Sequence, residues 1–252
     1  LPFKKAGNRR YSSKKIQIDP IEHLNETKVS TQNAFGKILD QYAKLDSEFS
    51  SRILTTSPDV SVSTNLGAWV NRKGLFSREE TEDTFRDRKI PSVQKWKFSP
   101  KGQHIELGIA EMNLFIMLSA AGLSHEFFGE RLFPIGTVYD PFISRGLDAL
   151  NYACYQNARF MLVATPSGIT LAPEGGAHQS IGTPLIGISQ PGMLSFEPAY
   201  SDELSVIMQY GFEYMQDEEN GGSVYLRLST KPIEQLPRKM SESLRNNIIK
   251  GG

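Results

Sequence analysis

The sequence predicts an α/β fold, a three-layer arrangement with a mainly parallel sheet flanked by helices. Three observations carry this expectation. From residue 103 onward, short β-rich runs alternate with helical segments, as in sheets built by crossover connections. The runs 132–138 (LFPIGTV), 160–165 (FMLVAT) and 224–229 (VYLRLS) are the lengths of single strands. The segments 142–156 and 201–215 between them have helical spacing of apolar residues.

Taken in order, residues 1–15 are basic, with Lys4, Lys5, Arg9, Arg10, Lys14 and Lys15 and no acid. No apolar face accompanies these charges, so they read as a solvated linker rather than a transit peptide. The linker continues over 16–29. Residues 30–52 form an amphipathic helix with Phe35, Ile38, Leu39, Tyr42, Leu45 and Phe49 on one stripe, capped by Ser30 or Thr31. Two β-rich runs, ILTT and VSVST, flank a Ser-Pro-Asp turn within 52–64. Residues 67–101 carry Trp69, Phe76, Phe85, Trp96 and Phe98 without a clear period, and read as an excursion packed on the body or on a neighbour.

The stretch 103–125 (QHIELGIAEMNLFIMLSAAGLSH) organises the rest. A short strand, 104–107, is broken by Gly108, and a helix apolar on nearly every face follows from Ile109 to Leu123. A helix of that kind is expected to be buried on all sides. It falls well short of the roughly 20 apolar residues that span a bilayer. After the strand 132–138 comes a helix over 142–156 with Ile143, Leu147, Leu150 and Cys154 on one face. Residues 167–191 form a long loop rich in glycine and proline, the kind that is often functional. A strand at 194–197 leads to a helix over 201–215, capped by Ser201 with Asp202 and Glu203 in its first turn. A strand at 224–229 and a short helix at 240–249 complete the chain. The domain is therefore expected over 30–230, with linkers at 1–29 and 231–252.

Composition narrows the function. The chain has 252 residues, 39% of them hydrophobic, and a formal net charge of zero, which points to neither nucleic acid nor an anionic membrane. The single cysteine, Cys154, excludes an internal disulfide and fits a reducing, cytoplasmic setting. Lying in an apolar helix, it reads as a core thiol. There is no phosphate-cradling loop ending in Lys-Ser or Lys-Thr, no GxGxxG after a strand and no GxSxG elbow. The four histidines show no zinc spacing.

What remains is Glu111, in the first turn of the apolar helix. It has two readings: an acid that complements the helix dipole and the free N–H groups of the first turn, or a buried acid that exchanges a proton with a ligand. Ligands of parallel sheets sit beyond the carboxyl ends of the strands. Residues 108–111, 139–145 and 165–178 all begin at such ends. Glu111, the group Tyr139, Phe142 and Arg145, and the glycine-flanked Glu174, His178 and Gln179 should therefore converge. An acid, flat aromatics and a histidine around one crevice suit a flat heteroaromatic ligand with proton chemistry.

These segments resemble one family. GIAE at 108–111 is similar to the signature of the pyrimidine-binding domain of thiamine-diphosphate enzymes in the transketolase superfamily. YDPFISRGLD at 139–148 resembles the Tyr-x-x-Phe-x-x-Arg-x-x-Asp pattern of deoxyxylulose-phosphate synthases, and EGGAHQ at 174–179 resembles the Asp-Gly-x-x-His-Gln of those enzymes and of transketolases. EPAYSDE at 197–203 resembles the start of their next helix. GQHIELGIAE at 102–111 also resembles the homodimeric pyruvate dehydrogenase first component, which makes a 2-oxo acid dehydrogenase the preferred reading. The resemblance covers roughly 30–230.

The resemblance implies the pyrimidine domain of a thiamine-diphosphate-binding fold. It implies that Glu111 hydrogen-bonds the cofactor's pyrimidine ring, that Phe142 stacks on it with Tyr139 nearby, and that His178 faces substrate as acid, base or donor. It places Arg145, Glu174 and Gln179 on the substrate side, although Glu174 stands where the family has aspartate and transketolases have an aromatic residue where Arg145 stands. No GDG occurs in the chain, so the magnesium and diphosphate ligands are expected on another domain. The partners implied are a second copy of the chain, that diphosphate-binding domain and the acyltransferase of a 2-oxo acid dehydrogenase complex. The alternatives are a transketolase, a synthase-like carboligase, or a binding module that keeps the fold without the chemistry.

Overall fold

A computed structural model describes residues 13–22, 24–58, 61–81, 84–91 and 95–251. The basic start, most of which lies in residues 1–12, falls outside them, as does His23. In chain order the elements are β1 (Lys28–Val29), α1 (Thr31–Lys44), α2 (Glu48–Arg52), β2 (Ile53–Ser57), α3 (Gly67–Lys73), β3 (Leu75–Phe76), α4 (Thr84–Asp87), β4 (Phe98–Ser99), β5 (His104–Glu106), α5 (Glu111–Gly122) and α6 (Ser124–Phe128). Then follow β6 (Phe133–Val138), a 3-10 helix at Asp140–Gly146, α7 (Leu147–Tyr155), β7 (Met161–Ala164), 3-10 turns at Ala172–Glu174 and Gly176–His178, α8 (Thr183–Ile188), β8 (Met193–Phe196), α9 (Ser201–Met215), β9 (Ser223–Arg227), β10 (Ile233–Glu234) and α10 (Glu242–Lys250).

Among the described residues eight strands form one sheet in the order β4-β3-β5-β2-β6-β7-β9-β8. All its pairings are parallel. The central strands are covered on both faces, which is why they read as continuous apolar runs rather than alternating ones. Alternate residues still serve opposite cores. Phe133, Ile135, Met161, Val163, Val224 and Leu226 pack with α1 and α9. Val138, Leu162, Ala164 and Tyr225 pack with α5 and α7.

The helix expected at 30–52 is split in two by an unwound turn at 45–47. Ser30 caps α1, accepting from Asn33 N–H at 3.1 Å, and Ser47 caps α2 in the same way. Of the VSVST run, Val60 lies outside the described residues and 61–64 form a turn rather than a strand. Thr64 Oγ1 donates to the Ser61 carbonyl at 3.2 Å, one of the local side-chain bonds that compete with a ladder. The turn ends in Asn65 at a φ of 60°. The excursion 67–101 adds β3 and β4 to the sheet edge, and its Trp69 is a fully buried core residue. The helix at 201–215 is capped from Tyr200, not Ser201: the Glu203 carboxylate reaches back to the N–H groups of Ala199 and Tyr200 at 3.0 and 3.1 Å.

The segments expected as linkers touch the body at several of their described residues. Ile16 is buried, and its backbone exchanges two 2.9 Å hydrogen bonds with the Gln216 amide. Strands β1 and β10 pair antiparallel, and α10 lies on α9 with Ile248 buried.

Helix α5 corrects another expectation. Only the stripe Glu111, Leu114, Phe115, Leu118, Ala121 and Gly122 is buried, the spacing of a one-sided amphipathic helix. Met112 and Ile116 on the opposite face stand exposed, as does Ile109 just before the helix. No helix among the described residues is long and apolar enough to cross a membrane. Cys154 is buried, and burial pushes its thiol up to about 12, so it is a core thiol and not a nucleophile.

His104 on β5 is completely buried. Its Nδ1 meets Thr55 Oγ1 at 2.8 Å, and its Nε2 has no partner among the described residues. Burial pushes the imidazole down to about 4. The unfolded chain, with an ordinary histidine near 6.5, then binds the proton more readily than the folded one. Stability should therefore be intact above about pH 6.5 and fall as the pH drops towards 4, by up to about 3 kcal/mol. Denaturant unfolding at pH 7 and pH 5 checks this. His104→Asn should flatten the difference, and an unchanged pH slope would assign the loss to other groups.

Candidate functional site

The site forms where α5 begins, beyond the carboxyl ends of β5 and β6. Gly108, at a φ of 68°, turns the chain out of β5. Ala110 leads into α5 without a side-chain cap, so Glu111 is the first helical residue. Its side chain is only 10% exposed, and Oε1 accepts from Arg145 Nη1 at 2.7 Å. Arg145 is thus the partner that a buried carboxylate needs. Its guanidinium also lies 4.0 Å from the Phe142 ring centre. Among the described residues nothing donates to Oε2 of Glu111.

The 3-10 helix that follows β6 carries the aromatics. Pro141 suits its first turn. Tyr139 and Phe142 stack with ring centres 5.9 Å apart and planes 16° from parallel. His178 stands edge-on to both, 6.1 Å from Tyr139 and 5.6 Å from Phe142. A small pocket opens beside them, lined by Glu111, Tyr139 and Phe142 with Ser57, Pro58, Thr64, Thr137 and Val138. Gly146 lets this segment close on α5, since a Cβ there would come 2.4 Å from the Phe115 ring.

The three segments expected to converge do so. Arg145 faces Glu111 and Phe142 rather than the loop. His178 is 30% exposed, with a buried Nδ1 that has no hydrogen-bond partner among the described residues, and its Nε2 is 3.8 Å from Glu174 Oε2. Glu174 is exposed and Gln179 half-buried, and neither lines the pocket.

Sequence reasoning missed a charge beneath these residues. Asp140 is fully buried between the two aromatics. It accepts from Arg227 Nη2 at 3.0 Å, Thr183 Oγ1 at 2.7 Å, Tyr225 Oη at 3.0 Å, Gly168 N–H at 3.2 Å and Ser180 Oγ. Burial pushes its carboxyl up, but the bonds from Arg227, Ser180 and Thr183 outweigh this and hold it below the usual carboxylate range. A signal existed: an arginine inside the apolar run 224–229 needs a buried carboxylate.

This fold is the one that transketolases use. The chain aligns with transketolase from Leishmania mexicana at a TM-score of 0.64, covering 85% of this chain and 27% of that one at 18% identity. It aligns with a transketolase variant from Pichia stipitis at 0.68, covering 92% and 29% at 17% identity. The fold is thus that of a transketolase-like α/β domain. Within that class, the chain belongs to the family of the pyruvate dehydrogenase E1 component middle domain, whose model matches residues 22–235. It is 26% identical to the pyruvate dehydrogenase E1 component of Pseudomonas aeruginosa over 96% of this chain, and 26% identical to that of Escherichia coli K12 over 88%. The chain spans 28% and 25% of the length of these two relatives.

Proposed function

We propose that this domain holds the pyrimidine ring of thiamine diphosphate in the first component of a 2-oxo acid dehydrogenase. The observation that carries the reading is Glu111, a buried carboxylate with one oxygen unclaimed among the described residues, opening onto a pocket walled by Tyr139 and Phe142. A flat ring with a nitrogen at its edge fits that set: aromatic faces for the ring and a carboxylate for the nitrogen.

When bound, the cofactor provides the carbon nucleophile and electron sink for decarboxylation, and the protein provides orientation and electrostatics. Glu111 binds the ring nitrogen and holds or gives up a proton there. Arg145 fixes the Glu111 carboxylate through Oε1 and leaves Oε2 for the ring. Phe142 and Tyr139 set the plane of the ring and keep water from the carboxylate. His178, with an unsatisfied nitrogen beside Phe142, faces substrate as donor or proton carrier. Glu174 and Gln179, on the same loop as His178, are assigned to the substrate side by the family resemblance of EGGAHQ.

Magnesium and the diphosphate are bound by a further domain of the same enzyme. The enzyme works as a homodimer in the cytoplasm and passes its acyl group to an acyltransferase component. The exposed apolar residues Ile109, Met112 and Ile116, next to Glu111, support contact with a second copy.

The test is calorimetric titration of the full-length enzyme with thiamine diphosphate and magnesium. Saturable binding is expected, and Phe142→Ala should weaken it by roughly tenfold or more, because stacking of a heteroaromatic ring on an aromatic side chain contributes about 1–3 kcal/mol. An unchanged dissociation constant would remove the aromatic wall from the cofactor site.

A further inference from the structure

We propose that Asp140 is the positioning residue that sets where His178 stands, by hooking both ends of the loop 168–180 to the segment that carries Tyr139, Phe142 and Arg145. The inference deepens the proposed function, since it rests on reading His178 as the residue that faces substrate.

One oxygen does most of the holding. Oδ2 of Asp140 accepts from the Gly168 N–H at 3.2 Å before His178 in sequence, and from Ser180 Oγ and Thr183 Oγ1 (2.7 Å) after it. The loop is thus drawn closed on a single carboxylate, helped by the backbone bond from Ser180 N–H to the Gly168 carbonyl at 3.2 Å. Between these ends the loop is tied to the body at Thr170, whose carbonyl accepts from Thr230 Oγ1 at 3.1 Å, and is otherwise braced by its own 3-10 turns. Residues 172–177 are exposed, and Ile169 is 67% exposed. A loop without an apolar core of its own takes its place from its anchors. Outside its own loop, where its N–H bonds the Gly175 carbonyl at 3.1 Å and its Nε2 is 3.8 Å from Glu174 Oε2, His178 meets ring edges of Tyr139 and Phe142, so a shift of the anchors moves it directly.

The other oxygen ties the hook to the sheet. Oδ1 accepts from Tyr225 Oη at 3.0 Å, and Arg227 spans both oxygens from the end of β9. Arg227 Nη1 also pairs with Glu197 Oε2 at 2.5 Å, just before α9. The chain Asp140–Arg227–Glu197 therefore joins 139–148, the His178 loop and 197–203, three of the four segments singled out in the sequence. A buried ion pair is poor evidence of stabilisation by itself, and fixing one geometry is its better-attested use. Five residues, from 168–183 and 225–227, donating to one carboxylate meet that description.

The experiment uses the full-length enzyme without cofactor. Asp140→Asn removes the charge. Thr183→Val removes one donor at nearly constant volume and is the variant that should fold in any case. Amide hydrogen exchange within 168–182 is expected to quicken roughly tenfold or more in Thr183→Val, the scale for losing one hydrogen bond to a charged group. Exchange in β2 and α1 should stay within about twofold or threefold on the same reasoning. The imidazole resonances of His178, assigned from His178→Gln, should move, and Thr183→Ser should restore both readouts. Asp140→Asn should act in the same direction and more strongly; if it fails to fold, the Thr183 pair carries the test. Faster exchange by the same factor everywhere, or an unmoved His178 signal with an unchanged loop, overturns the proposal. Because no cofactor is present, these readouts report on the hook alone. Failure of the cofactor reading appears separately, as unaltered binding in Phe142→Ala.

Discussion

Glu111→Gln in the full-length enzyme is expected to lower turnover by about 10² to 10⁴, the range for removing a positioned acid or base. The substitution keeps the size of the side chain and its ability to hydrogen-bond a ring nitrogen, but it has no proton to exchange. The fold should tolerate it. The Arg145 side chain is 53% exposed, so losing the ion pair returns the guanidinium to water at small cost. A glutamate that only complements the helix dipole behaves differently: its loss costs about 0.3–1 kcal/mol of stability and leaves the rate nearly untouched. Hydrogen–deuterium exchange at the thiazolium carbon, with Glu and with Gln at position 111, separates the two cases. Equal exchange rates would take Glu111 out of the chemistry and leave the assignment resting on the aromatic wall and the His178 loop.

Most of the sheet was legible because its strands are covered on both faces and therefore have a simple apolar signature. The runs at 132–138, 160–165 and 224–229 all became central strands within one or two residues at either end. Where local chemistry competed with pattern, the reading failed. VSVST has β-branched residues in quick succession, yet Thr64 bonds its own backbone and the segment turns. Ser201 looked like a cap, but a helix also starts where an acid at its third position reaches back, and Glu203 does so for Tyr200. The site residues were legible as types at strand ends. Their partners were not, because the link from Asp140 to Arg227 joins residues far apart in sequence. The unexpected exposure of α5 has a different cause. Apolar composition tells that a helix face avoids water, but not whether its cover lies in the same chain.

That uncovered face leads to the second large effect. Ile116 is 55% exposed and Met112 40% exposed on α5, and Ile109 just before it is 78% exposed. Three bulky apolar residues in one row, with Ile116 little more than one turn from Glu111, form the kind of patch that marks an interaction surface. A second copy is the occupant expected from the homodimeric assembly proposed above, and a two-fold axis would lay this helix against its own counterpart. Ile116→Asp should then raise the dimer dissociation constant by about 100-fold or more, because a carboxylate buried there without a partner costs several kcal/mol. The isolated domain should hardly notice, since substitution at a half-exposed helix position stays within about 0.5 kcal/mol. Sedimentation of the full-length enzyme, with thermal unfolding as the control, reads both quantities. Cofactor affinity should fall together with the dimer, because Glu111 and Ile116 share one rigid helix and its first turn is set by whatever packs on its outer face. A variant that dimerises as tightly as the wild type would place the subunit contact elsewhere, with the aromatics of residues 67–101 next in line: Phe76 and Phe98 at the sheet edge are 46% and 40% exposed.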